Sequence, residues 1–166
     1  NLYVFTENIN SLESKSTRSG GGTSVLRPAK NSIGIVTKKL YIYKEDRTEE
    51  TSKKENYNQD FSDTTEDFNL FKKINLKQLD RIDIIKKGKY LVFPKKMASG
   101  LAALPKRFSQ WLAKELNKRY NIDTQVKANG EIVLLEIKST QDKTVLEDSS
   151  LRKEEDTTLL DELKKK

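Results

Sequence analysis

A chain of 166 residues with 34% apolar content has material for one ordinary domain and little for a second core. It contains neither cysteine nor histidine, which excludes disulfides, zinc fingers, thiol nucleophiles and every Ser-His or Cys-His catalytic arrangement, so no cofactor or metal is expected. The net charge of +7 is unevenly spread: Lys86 to Arg119 holds ten Lys/Arg against one acid, Glu115, whereas 45–67 is acidic.

The opening segment, 1–32, reads as a flexible arm or linker. Its run Ser14-Lys15-Ser16-Thr17-Arg18-Ser19-Gly20-Gly21-Gly22 is Gly/Ser-rich and has no hydrophobic period. A basic domain is expected over 33–140. Ile33 to Tyr43 alternates β-branched and apolar residues as a strand or strand pair does. The acidic stretch 45–67 reads as a loop insertion, with Tyr57 and Phe61 as its bulky anchors. Phe68, Phe71, Leu76, Leu79, Ile82 and Ile85 then fall at helical spacing, and Lys86-Lys87-Gly88 suits a helix C-terminus.

Tyr90 to Phe93 before Pro94 predicts a short buried strand, since proline cannot donate to a ladder. A second helix follows, with Pro105 at its first position. Phe108, Trp111, Leu112, Leu116 and Tyr120 form one apolar stripe, and Gln110, Lys114 and Lys118 lie on the other side. Trp111, Tyr120, Tyr90 and Phe93 are accordingly read as packing residues rather than as base-stacking ones. Ile122–Ala128 and Glu131–Lys138 flank Asn129-Gly130, the signal of a two-residue hairpin whose register sets Val126 against Val133, Thr124 against Leu135 and Ile122 against Ile137. The tail, 141–166, is charged and has weak helical spacing at Val145, Leu151, Leu159, Leu160 and Leu163. No apolar run approaches the roughly 20 residues of a membrane span, so no membrane partner is expected.

The expected fold is therefore α+β, a small two-layer β-α-β-α-β-β domain with a basic arm and a charged tail. Single-sign crowding of this kind marks a face for a polyanion. Lys95 and Lys96 lie on the turn before the second helix, and Lys106, Arg107, Lys114, Lys118 and Arg119 extend the patch. These seven are the candidate RNA-binding residues.

The element order, the Met97-Ala98 pair after Phe93-Pro94-Lys95-Lys96 and the lead-in Lys87-Gly88-Lys89 resemble the C-terminal domain of translation initiation factor three over about Thr37 to Lys138. The resemblance implies binding to the small ribosomal subunit and its rRNA, hindrance of premature subunit joining, and help in selecting start codon and initiator tRNA on mRNA. The charged tail and the lysines where the family favours arginine look more like a mitochondrial member, which implies the mitochondrial matrix. It implies no enzyme activity. A structural mitochondrial ribosomal protein is the alternative on the same charge pattern.

A second alternative is enzymatic. In the hairpin register Asp123 lies opposite Glu136, with Lys138 two residues on, which resembles the PD-(D/E)xK metal-dependent nucleases without their proline. Lys127 and Lys138 are close enough in that register to neutralise the acids without a metal.

Overall fold

The computed structural model describes residues 1–12, 31–99, 103–137 and 144–147. The fold is α+β, and its described residues form a four-stranded sheet, a three-stranded sheet, a two-stranded ribbon and two long helices. β1 (Leu2–Asn8), β2 (Ser32–Lys38), β5 (Leu91–Pro94) and β9 (Thr144–Glu147) form a parallel sheet in the order β2-β1-β5-β9. β6 (Lys96–Met97), β7 (Ile122–Val126) and β8 (Ile132–Ile137) form an antiparallel sheet in the order β6-β8-β7. The short strands β3 (Leu40–Tyr41) and β4 (Asn58–Gln59) pair with each other, with the single-turn α1 (Lys54–Tyr57) just before β4.

The first strand corrects the reading of 1–32 as an arm. Leu2 and Val4 are fully buried, and β1 lies between β2 and β5, which puts two strand neighbours around it. The apolar run Leu2-Tyr3-Val4-Phe5 carried that signal, and the Gly/Ser composition that follows it masked it. Ser14 to Gly22 lies outside the described residues. The charged tail is corrected in part as well: residues 144–147 are strand β9, paired to β5 from Leu91↔Thr144 to Pro94↔Glu147, and the remaining tail positions fall outside the described residues.

α2 (Thr65–Ile85) and α3 (Lys106–Tyr120) pack side by side and run parallel. Phe68 and Phe108 stack near their N-termini with centroids 4.8 Å apart, and Arg119 meets Asp80 and Asp83 near their C-termini. Thr64 caps α2 by accepting the Asp67 N–H, and Asn121, at φ 57°, ends α3 in the left-handed conformation that asparagine tolerates. Pro105 stands one position earlier than expected, at the N-cap of α3. The core gathers Leu2, Val4, Ile33, Ile35, Leu91 and Phe93 from the sheet with Phe71, Leu79, Ile82, Phe108, Leu112, Leu116 and Tyr120 from the helices.

The buried face of α2 departs from the apolar stripe expected of it. Leu76 and Ile85 are exposed, while Asn75 and Gln78 are buried. β2 is an edge strand, and its outward main-chain groups must be satisfied. Asn75 accepts the Val36 N–H at 2.8 Å and donates to the Val36 carbonyl at 2.9 Å, and Gln78 donates to the Gly34 carbonyl at 2.8 Å. The helix therefore closes the sheet edge with two side-chain amides. Gly34 itself leaves room for Phe5 and Glu7, since an added Cβ would sit 2.8 Å from the Glu7 Cβ. Asn10 does to β3 what Asn75 does to β2, donating to the Tyr41 carbonyl at 3.0 Å and accepting its N–H at 3.1 Å.

The acidic segment 45–67 is tied to the domain rather than loose. Phe61 is buried against Phe71 and Phe108, the Arg47 guanidinium stacks 3.4 Å from the Tyr57 ring centroid, and Lys38 and Lys39 pair with Asp60 and Asp67 at 3.1 and 3.2 Å. Tyr90, expected inside, is 51% exposed, while Phe93 is fully buried.

The hairpin forms where Asn129-Gly130 placed it, with a different turn. Gly130 has φ 88°, but Asn129 does not have positive φ. The Gly130 N–H donates to the Lys127 carbonyl, which makes a type I turn closed by a glycine bulge. Ile122↔Ile137 pair as expected. A bulge after Asp123 then shifts the ladder to Thr124↔Leu134 and Val126↔Ile132.

Candidate polyanion-binding face

Both long helices start at the edge of the parallel sheet where its strands end. α2 does so because Asp67, in its first turn, pairs with Lys39, just beyond β2. α3 does so because it runs parallel to α2. Helix N-termini carry partial positive charge, and here cations gather around them. Three of those cations are answered: Lys38 by Asp60, Lys39 by Asp67 and, in the first turn of α3, Arg107 by Asp63. At the start of α3 one cation is left over. The N-cap Pro105 offers no side-chain acceptor, no acid stands in the first turn, and Lys106 is exposed there.

The seven candidate residues divide into two groups. Lys95 and Lys96 are exposed where β5 passes into β6. The Lys95 main chain is fixed by its N–H to the Glu147 carbonyl and by the Leu134 N–H to its own carbonyl. Lys106, Lys114 and Lys118 are exposed along α3, opposite its buried stripe of Phe108, Leu112 and Leu116. None of these five makes an ion pair with a described residue.

Arg107 and Arg119, the other two candidates, are each paired with acids of the chain, Arg107 with an exposed side chain and Arg119 with a largely buried one. Arg107 pairs with Asp63 and lies over the Phe68 ring at 4.8 Å. Arg119 reaches Asp80 and Asp83 at 2.9 Å and Glu115 at 3.1 Å, and its side chain is 18% exposed. Burial alone would lower its pKa, but hydrogen bonds to Asp80 and Glu115 and the charge of Asp83 outweigh that and raise it. It acts as a clamp between α2 and α3. Sequence alone could give only Glu115, four residues away on the same helix face.

Trp111 packs edge-on against Phe71 at 5.9 Å and Tyr120 is 1% exposed, so both serve packing. Asp123 and Glu136 are paired across the hairpin as expected, and Lys127 turns to Glu131 at 3.6 Å instead of toward them. Lys138 lies outside the described residues. Among the described residues no group of three or more acids could hold a metal ion. No described helix is long and apolar enough to cross a membrane.

These features define a small α+β domain with a parallel central sheet and a lysine-lined outer helix. The chain belongs to DUF7831, a family of unknown function whose model matches residues 1–119, from β1 to the end of α3. No curated protein matches the chain. No solved structure matches it either.

Proposed function

We propose that this domain binds the phosphate backbone of RNA through Lys95, Lys96, Lys106, Lys114 and Lys118. The observation that carries the reading is the division of charge: these five lysines are exposed and make no ion pair with a described residue, while the neighbouring arginines are neutralised. Lysine supplies a mobile point charge rather than a bidentate fork, which suits contact with a backbone irrespective of sequence. Each phosphate neutralised releases counterions, so the affinity should fall steeply with salt.

The finer reading takes the RNA to be small-subunit rRNA and the protein to be an initiation-factor-like member of the mitochondrial translation machinery, with no catalytic step. It rests on the sequence resemblance. The test is cosedimentation with isolated small subunits, with and without Lys95→Glu and Lys96→Glu. The expected result is salt-labile binding that is weakened in the double variant and reversed by added large subunits. Retention through high-salt washing would favour a structural ribosomal protein. Binding to neither small subunits nor a single-stranded RNA oligonucleotide would overturn the reading.

A further inference from the structure

From Leu70 to Tyr90 the chain carries seven cations against two acids, and both acids are already taken: Asp80 and Asp83 each lie 2.9 Å from the Arg119 guanidinium. Lys73, Lys77, Lys87 and Lys89 make no ion pair with a described residue. Leu70, Lys73, Lys77, Arg81 and Ile84 recur at steps of three and four and are all exposed, so they share one face of α2. That face lies opposite the buried Phe71, Asn75, Leu79 and Ile82.

Where α2 ends, large apolar side chains join the lysines. Ile84 is 67% exposed, and Ile85 and Tyr90, on either side of Lys86-Lys87-Gly88-Lys89, are exposed as well. The turn stands clear of the domain at Gly88, where nothing lies within 4 Å of an added Cβ. This mixture selects among partners. RNA would offer phosphates to the lysines and leave the isoleucines against charge and water. A second copy would set lysines against lysines across a two-fold contact. An anionic lipid surface answers both kinds of side chain: it presents phosphates to the lysines, an apolar boundary to the isoleucines, and to Tyr90 a layer that is apolar on one side and wet on the other.

We propose that the outer face of α2 and the turn after it dock on an anionic phospholipid bilayer, with Ile84 and Ile85 entering the headgroup boundary. The contact is peripheral and needs no membrane-spanning run: about 21 Å of helix, from Leu70 to Ile84, lies along the surface. It uses none of the lysines of the α3 face and does not depend on RNA binding there.

The test is flotation of the full chain with vesicles of phosphatidylcholine and phosphatidylserine in equal parts and, separately, of phosphatidylcholine alone. The expected result is binding to the mixed vesicles that weakens with salt, and little binding to the neutral ones. Lys87→Glu with Lys89→Glu should weaken it about twentyfold or more, since each cation near such a surface contributes about fivefold. Ile84→Ser should weaken it about fivefold and leave both RNA affinity and the thermal midpoint unchanged, because the side chain is exposed. The chain has no cysteine, so Ile84→Cys can carry a single polarity-sensitive fluorophore. Its emission should shift to the blue on the mixed vesicles, and the same label at Lys114→Cys should not shift. No binding to the mixed vesicles overturns the proposal. Binding that Ile84→Ser and the charge reversal leave intact overturns it too, by assigning the adsorption to the lysines of α3. Loss of RNA affinity in Lys87→Glu with Lys89→Glu, with vesicle binding unaltered, would give the face to RNA. A dimer that Ile84→Ser dissociates in analytical ultracentrifugation would give it to a second copy, and either result overturns the lipid assignment.

Discussion

Asn75 holds Val36 from outside the sheet as a neighbouring strand would, accepting its N–H at 2.8 Å and donating to its carbonyl at 2.9 Å. Both residues are fully buried, so water cannot replace either bond. Asn75→Leu would leave two main-chain groups unsatisfied, at about 1–3 kcal/mol each. The expected loss is roughly 2–4 kcal/mol in urea unfolding, and Asn75→Asp should recover little of it because a carboxylate cannot donate to the Val36 carbonyl. A neutral Asn75→Leu substitution would show that the edge is closed some other way.

That pair also shows where the sequence stops being legible. The two long helices and β5 follow from apolar spacing, because most of those residues face the core in the way periodicity assumes, with Leu76, Ile85 and Tyr90 turned outward. Asn75 and Gln78 break the rule. As amides on a helix they read as solvated, and the main-chain groups that require them lie 39 and 44 residues away. β1 was written in Leu2 to Phe5, but its insertion between β2 and β5 is a matter of strand order, which no local pattern encodes. At the candidate face the lysines were legible as a cluster. The commitment of Arg107 and Arg119 was not, since Asp63, Asp80 and Asp83 come from another element.

Gly130 and Gly88 both have positive φ and should respond differently to alanine. A left-handed alanine costs about 1–2 kcal/mol by itself. At Gly88 nothing lies within 4 Å of an added Cβ, so Gly88→Ala should cost only that. At Gly130 the Cβ would fall inside the van der Waals shell of the Leu104 carbonyl oxygen. It would also disturb the Gly130 carbonyl, which accepts the Ser109 hydroxyl at 2.5 Å. Gly130→Ala should therefore cost roughly 3 kcal/mol or more in equilibrium unfolding. Equal losses at the two sites would mean that the hairpin tip does not pack against the start of α3.

Tyr120 predicts an alkaline limit to stability. Burial, reinforced by the charge of Asp83, raises its pKa above the ordinary value of 10.0. The raised folded-state value means that the native state keeps the proton after the unfolded state has lost it. The stabilisation is thus fully present below about pH 10 and declines as pH rises beyond that. Tyr120→Phe should lower stability little at neutral pH and flatten its decline above pH 10. Parallel pH profiles for the two proteins would refute the burial argument.

Arg107 gives a test of the RNA face that works by gain. Its guanidinium is held by Asp63 on the exposed start of α2, where an ion pair contributes about 0–1 kcal/mol and competes with an incoming phosphate. Asp63→Asn should leave stability nearly unchanged and raise RNA affinity a few-fold by freeing one more cation. An unchanged affinity would place Arg107 away from the RNA path.

The cations of α3 should separate by role. Lys114→Gln and Lys118→Gln each remove an exposed charge, so each should weaken RNA binding and reduce the slope of log affinity against log salt by about 0.7 on a single strand. Stability should hardly change, since surface substitutions of this kind stay within about 0.5 kcal/mol. Arg119→Gln should do the reverse. It strands Asp80, Asp83 and Glu115 without their shared cation and loosens α3 from α2, so thermal unfolding should fall while the salt slope of the folded protein stays the same. The two measurements are independent, so a reduced salt slope in Arg119→Gln with unaltered stability would reverse the assignment of clamp and face.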